Sequence, residues 1–176
     1  MPNKEEADRL YFAYGSNINL EQMAYRCPAA TIVGPAVLEN YELLFRRGYA
    51  TIKPRKGGKV HGLLWTLTPI CEQTLDMYEG YPRTYDKQMV TVRDGSGQDL
   101  SVLVYIMDER FRDPTMPHPG YYDIIVEGYR QNGLPEAALK KALDHAVREV
   151  YHGAGRGRVK TTDRSKPPKR RGGHER

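Results

Sequence analysis

The sequence predicts an α+β protein: a mostly antiparallel sheet closing toward a barrel, with helices on its flanks. Three observations carry this. Short apolar stretches between Ala29 and Leu67, and again between Tyr85 and Asp108, are set apart by glycine-rich turns, which is the strand pattern. Few stretches carry helical start and stop signals. Strand and helix do not alternate in the βαβ rhythm of a parallel sheet.

Taken in order, Leu10 to Tyr14 reads as a short buried strand that stops on Gly15, Ser16 and Asn17. Asn19 then caps a short helix through about Arg26, with Leu20 and Met23 inward, and Pro28 ends it. The segments TIVGPAVL, YELLFRR, YATIKP and KVHGLLWTL read as strands, and Lys56 to Gly58 within RKGG predict a hairpin turn. Thr68 followed by Pro69 starts a helix to about Tyr78, with Ile70, Leu75 and Tyr78 near one face. YDKQMVTVRD, the turn GSGQ and DLSVLVYIMD form a second hairpin. The proline-rich DERFRDPTMPHPG is a loop. A helix from Tyr121 closes at Gly133, and Pro135 opens a last helix to about Tyr151 through Leu139, Leu143 and Val147.

The 176 residues suffice for one domain with a sizeable core. The net charge of +5 is uneven. Gly153 to Arg176 holds nine Lys or Arg against Asp163 and Glu175, a net +7 that leaves −2 for the first 152 residues. The organisation expected is therefore a globular domain over 1–152 and a basic, disordered tail over 153–176, whose one sizeable aliphatic residue is Val159. Any nucleic-acid contact would be weak and confined to that tail, since KPPKRR has charge but no interleaved aromatics. Two cysteines, Cys27 and Cys71, make no disulfide framework. No stretch is apolar enough to cross a bilayer, and MPNKEEADRL lacks a signal-peptide core, so a cytoplasmic protein with free thiols is expected. The scattered histidines show no metal-ligand spacing.

The motif YFAYGSN at the end of the first strand resembles the signature of the gamma-glutamylcyclotransferase-like family, with Tyr14-Gly15-Ser16-Asn17 as its hallmark. Other pieces fall in the family's order. ATI at 50–52, VHGLLWTL at 60–67, LDMYEGYPRTY at 75–85 and GYYDIIVEGYRQNGLP at 120–135 resemble its strands, its acid-bearing helix end and its late helix. The resemblance spans about residues 10 to 150 and leaves the tail outside.

The resemblance implies a small mixed barrel with flanking helices and a cavity at one end. It implies cyclisation of a gamma-glutamyl amide to 5-oxoproline with release of an amine or amino acid, without metal or organic cofactor. Carried over by position, Glu79 is the catalytic acid/base, Tyr14, Gly15, Ser16 and Asn17 cradle the glutamyl group, and Tyr121 contacts it. The expected partner is this small molecule, and the protein is a monomer or a homodimer. EGYPRTY resembles the bacterial and plant-like branch, and YGSN differs from the YGSL of the glutathione-degrading branch. The leaving group therefore stays open among gamma-glutamyl dipeptides, amines and a gamma-glutamylated metabolite.

The residues themselves support this chemistry. A glycine after a strand lets the backbone approach a ligand closely. Gly15, Ser16 and Asn17 present amides ahead of a helix, a donor set suited to a carboxylate or an oxyanion. In isolation the same residues are an ordinary turn, and Glu79 an ordinary solvated carboxylate. Tyr78, Tyr81 and Tyr85 around Glu79 predict shielding and a raised pKa, which suits a group that takes and then gives a proton. Ser16 reads as a ligand contact, since YGSN is no nucleophile elbow. Cys27 and Cys71 read as core residues, and Arg46, Arg47 and Arg83 as solvated side chains that could also meet an acidic part of the substrate. Two other functions compete: a non-catalytic small-molecule binder on the same fold, and a nucleic-acid binder acting through the tail.

Overall fold

The computed structural model describes residues 7–159. Five strands, β1 (Arg9–Ala13), β2 (Thr31–Arg46), β3 (Tyr49–Leu67), β4 (Tyr85–Asp94) and β5 (Asp99–Met107), close into one barrel in the order β1-β3-β2-β4-β5. Four helices flank it: α1 (Leu20–Arg26), α2 (Pro69–Tyr78), α3 (Pro119–Gln131) and α4 (Glu136–Val159), with a single 3-10 turn at Ser16–Ile18. The barrel is mixed, as the family resemblance implies. Its pairings are antiparallel except where β1 meets β5 in parallel at Tyr11 and Leu103.

The short strand β1 carries the site because both its faces are covered. Tyr11, Phe12 and Ala13 are all buried in the core with Phe45, Leu63, Leu64, Leu103 and Ile125. Each large apolar side chain buried this way contributes about 1.5–3 kcal/mol. The predicted punctuation operates as expected at three places. Asn19 accepts hydrogen bonds from the amides of Glu21 and Gln22 and caps α1. Thr68 accepts from the Cys71 amide and caps α2. Asp94 accepts from the amides of Ser96 and Gln98 and closes the β4–β5 hairpin.

The RKGG segment is not a hairpin turn. The four segments read as separate strands are two long ones, β2 and β3, and the chain reverses at Arg46–Tyr49. RKGG is a bulge inside β3. Between the pairs Glu39–Lys59 and Tyr41–Pro54, β2 advances past Asn40 while β3 advances past residues 55–58. Asn40, itself at φ 62°, accepts from the Gly57 amide at 3.0 Å and pins the bulge. Paired glycines mark a break from regular strand geometry, which a bulge satisfies as well as a turn does.

Two helix faces also differ from the periodicity. Leu75 and Leu139 are buried, but Ile70, Tyr78 and Val147 are exposed, and Ala146 takes the inward place on α4. On α2 and α4 the covered stripe is narrower than a full apolar face, so outer members of the periodic set remain in solvent. Helix α4 runs past Tyr151 to Val159. Glycine weakens a helix without stopping it, and no proline lies between Pro135 and Pro167. The rest of the expected tail, 160–176, lies outside the described residues. Among the described residues, no helix is long and apolar enough to cross a membrane.

Helix α3 buttresses the turn that follows β1. Asn19 donates to the Ile124 carbonyl at 3.1 Å, Asn132 donates to the Ile18 carbonyl at 3.0 Å, and Gln131 accepts from the Leu20 amide at 2.8 Å. These bonds fix a short turn that has little secondary structure of its own.

Candidate active site

A cavity of about 310 Å³ opens at one end of the barrel. Tyr14, Gly15, Ser16, Asn17, Glu79 and Tyr121 all line it. Residues from the first strand's end, the end of α2 and the start of α3, more than 100 positions apart in the chain, thus share one space.

The amides of the turn at Gly15–Asn17 make few bonds within the protein, that of Ser16 lying against the Tyr121 hydroxyl. Among the described residues, no backbone carbonyl accepts from the amides of Gly15, Ser16 or Asn17, which sit at the start of the 3-10 turn. The side chain of Asn17 is spent on the protein. It donates to the Tyr11 hydroxyl at 3.1 Å and accepts from Arg26, while its backbone carbonyl accepts from the Trp65 indole at 3.0 Å. Asn17 therefore locks the turn that lines the cavity. Gly15 has ordinary negative φ, so close approach, not a left-handed turn, is what requires glycine there. Tyr121 reaches in from the first turn of α3 and accepts from the Ala50 amide at 3.1 Å. Tyr14 donates to the Tyr105 carbonyl at 2.5 Å and Tyr85 to the Ala50 carbonyl at 2.7 Å.

Glu79 is the C-terminal cap of α2, and the chain leaves the helix in a defined way. The Tyr81 amide donates to the Asp76 carbonyl at 2.9 Å and the Gly80 amide to Met77 at 3.2 Å, with Gly80 at φ 64°. This is the Schellman arrangement, and it fixes the direction in which Glu79 leaves the helix. Burial pushes the Glu79 carboxyl from its ordinary 4.5 up to about 7, opposed by the Arg26 charge. Burial, with the Glu79 charge next, raises Tyr11 and Tyr14 well above the phenol range, so both stay neutral. Burial also raises Tyr85 and Tyr121.

Of the aromatic shell expected around Glu79, Tyr78 and Tyr85 line the cavity. Tyr81 does not. It is exposed, under the Lys87 ammonium at 4.4 Å. The sequence reading missed Arg26. Its guanidinium donates to the Ser16 hydroxyl at 3.1 Å, to the Asn17 side-chain oxygen and to the Tyr78 hydroxyl, and lies 3.6 Å over the Tyr78 ring. It ties the amide-bearing turn to the helix that ends on Glu79. The signal was present, since Arg26 lies three residues after inward Met23, on the same side of α1. Arg46 and Arg47 are engaged elsewhere, Arg46 on Glu149 at 3.2 Å and Arg47 over the Phe111 ring, and none of Arg46, Arg47 and Arg83 lines the cavity. Cys27 and Cys71 are buried core thiols, and burial raises Cys27 to about 12. Tyr11 and Tyr105, packed edge to face at 5.7 Å, were likewise unforeseen in the wall.

Comparison with known proteins identifies the family. The family described as "Gamma-glutamyl cyclotransferase, AIG2-like" matches residues 11–124. The chain is 33% identical over 144 residues to the gamma-glutamylcyclotransferase of Bos taurus, covering 75% of this chain and 76% of that protein. It is 32% identical over 143 residues to that of Homo sapiens, covering 74% and 75%. Among solved structures, one titled "Gamma-glutamyl cyclotransferase" superposes with a TM-score of 0.68 at 29% identity, covering 77% of this chain and 86% of the other. An uncharacterized protein from Homo sapiens superposes at 0.67 and 30% identity with the same coverage. A sequence match that begins at Tyr11 and carries both the amide-bearing turn and the glutamate at the end of α2 places the chain in the gamma-glutamyl cyclotransferase, AIG2-like family.

Proposed function

We propose that this gamma-glutamylcyclotransferase-type enzyme converts a gamma-glutamyl amide to 5-oxoproline and a free amine, with Glu79 as the general acid/base. One observation carries the reading. Among the described residues, Glu79 is the one charged residue lining a cavity that Gly15, Ser16 and Asn17 also line, and burial pushes its carboxyl up to about 7. A group with that pKa both accepts and returns a proton at neutral pH.

The substrate's α-ammonium gives a proton to the Glu79 carboxylate, and the freed amine attacks the γ-carbonyl carbon. A bond forms between that nitrogen and carbon, and negative charge gathers on the carbonyl oxygen. Amides of the turn at Gly15–Asn17 are suited to the substrate's α-carboxylate or to this oxyanion, a donor being worth on the order of 3 kcal/mol. As the old amide C–N bond breaks, protonated Glu79 hands its proton to the departing nitrogen. The attacking nitrogen sheds its second proton through the same carboxylate, and the amine leaves as ammonium. The nucleophile belongs to the substrate, so the enzyme's main task is to hold a bent glutamyl chain. Good alignment of that kind supplies about 7–11 kcal/mol. Tyr14 and Tyr121 form walls against which the chain folds.

The test is Glu79→Gln assayed for 5-oxoproline by mass spectrometry against a panel of gamma-glutamyl compounds. Loss of product with an unchanged circular dichroism spectrum is expected. Full turnover by the variant removes Glu79 from the mechanism.

A further inference from the structure

Helix α2 carries Glu79 on its end, yet little apolar surface holds the helix down. Of its ten residues Cys71 and Leu75 are buried, while Ile70 and Met77 face solvent. Polar side chains seat it instead. Glu72, Asp76 and Glu79 follow at i, i+4 and i+7, so they stand along one side of α2. Opposite them, Lys87 of β4 and Tyr105 of β5 are register partners, and their side chains rise from the same face of the sheet. The two sets interlock. The Lys87 ammonium donates to Glu72 and to Asp76, each at 2.9 Å, and the Tyr105 hydroxyl donates to the other Asp76 oxygen at 2.6 Å. Arg9 of β1 donates to Glu72 at 3.3 Å.

These bonds are shielded from solvent. The side chains of Lys87, Glu72 and Asp76 are 17%, 15% and 23% exposed. Burial lowers the Lys87 ammonium, but its bonds to Asp76 and Glu72 outweigh that and hold it above its ordinary value. Burial, and then the bond to Asp76, raises the Tyr105 phenol. Both donors therefore keep their protons across the neutral range. Tyr105 also ties the clamp to the cavity, since it lines the wall and its carbonyl accepts from Tyr14. Lys87 does not line the cavity. It bears instead on the seat of the helix that presents the acid/base, where a shift of about 1 Å costs on the order of 100-fold in rate.

We infer that Lys87 is a positioning residue for the reaction: by holding Glu72 and Asp76 it seats α2 on β4 and β5 and fixes where the Glu79 carboxyl stands in the cavity. This deepens the cyclotransferase reading above and rests on it. The surroundings of Glu79 make the effect readable. Arg26 of α1, bonded to Tyr78, is the charge that opposes its shift. The phenols of Tyr11, Tyr14, Tyr85 and Tyr121, from β1 and the turn after it, β4 and α3, are raised by burial and stay neutral. The acidic limb of the kcat/KM–pH profile thus reports Glu79, whose value of about 7 comes from burial. Loosening the helix end admits water and moves the limb down, toward 4.5. Removing a cation that acted on Glu79 through its charge would move the limb up.

Lys87→Met keeps the stem and removes the ammonium, Lys87→Arg keeps the cation, and Tyr105→Phe removes a donor to Asp76 while leaving the ring in the wall. Each full-length protein is assayed for 5-oxoproline across the acidic limb, with the gamma-glutamyl compound that wild type turns over fastest, and Tm is measured alongside. For Lys87→Met, kcat is expected to fall about tenfold or more, KM to stay within about twofold, and the limb to move below that of wild type. Lys87→Arg should regain most of kcat and the wild-type limb. Tyr105→Phe should move the limb in the same direction as Lys87→Met, and it carries the test if Lys87→Met does not fold. A limb that stays in place or moves up overturns the inference, even where kcat or Tm falls, and leaves the cyclotransferase reading intact. Release of 5-oxoproline from no gamma-glutamyl compound by wild type, at concentrations where a positive-control cyclotransferase is active, removes that reading and this inference with it.

Discussion

Tyr121 and Gly15 meet so closely that a Cβ on residue 15 would lie 2.9 Å from the Tyr121 hydroxyl oxygen and 3.3 Å from the Ala50 methyl. The same hydroxyl accepts from the Ala50 amide at 3.1 Å, so α3, β3 and the turn after β1 converge on one phenol. The width of the cavity at this point is set by a missing methyl group.

Gly15→Ala should therefore push Tyr121 off its place and lower kcat/KM at least tenfold, with a stability loss of about 1–3 kcal/mol from overpacking. Removing the hydroxyl relieves the clash. The double variant Gly15→Ala/Tyr121→Phe is expected to regain most of the stability lost by Gly15→Ala. Thermal unfolding of the four members of this cycle measures the coupling, expected within about 0.5–3 kcal/mol. Additive losses would mean that the two residues do not constrain each other.

Arg26 offers a second test, because it both braces the turn and opposes the raised pKa of Glu79. A cation beside a carboxylate favours its ionised form, so deleting it raises the pKa. Arg26→Ala should move the acidic limb of the kcat/KM–pH profile above 7 and lower the plateau. Arg26→Lys keeps the charge but loses the planar fork that reaches Ser16, Asn17 and Tyr78 together. It should hold the limb in place while the plateau still falls. Equal limb positions in wild type and Arg26→Ala would refute electrostatic contact between Arg26 and Glu79.

The YGSN turn, the cap at Asn19, the Thr68-Pro69 helix start and the glutamate before Gly80 are local features. Each is decided by backbone chemistry within four or five residues, so each is legible in order along the chain. Whether RKGG bends a strand or reverses it is decided by the partner strand, where Asn40 accepts from Gly57, and no local signal distinguishes the two. The same limit applies to Tyr81, Arg26 and Arg46. Their surroundings come from β4, from α2 with the turn after β1, and from α4, so which cation braces the site and which pairs with Glu149 depends on packing between elements distant in sequence.

Gly80 occupies the left-handed position that ends α2 just after Glu79, with Thr84 Oγ1 3.0 Å from where a Cβ would be. A non-glycine residue at positive φ costs about 1–2 kcal/mol. Gly80→Ala should lower Tm, and it should depress kcat more than it raises KM, since the turn sets the direction of the acid/base without forming the glutamyl cradle. A change in KM alone would mean that Gly80 serves substrate binding instead.

The burial that tunes Glu79 also predicts a pH-dependent stability effect. In the unfolded chain the carboxyl titrates near 4.5, and in the folded protein near 7. Between those values the native state holds the proton and the unfolded state does not, so stability falls as pH rises through this window. Above 7 the full cost of an ionised carboxylate in a shielded cavity is present, on the order of 3 kcal/mol for a shift of this size. Below 4.5 both states are protonated and the cost vanishes. Glu79→Gln carries no titrating group, so its Tm relative to wild type should be higher at pH 8 than at pH 4, whatever constant penalty the amide itself brings. Calorimetric unfolding of both proteins at the two pH values measures that difference of differences. A Tm gap that does not change with pH would place the Glu79 carboxyl in bulk water and remove the basis for its role as proton carrier.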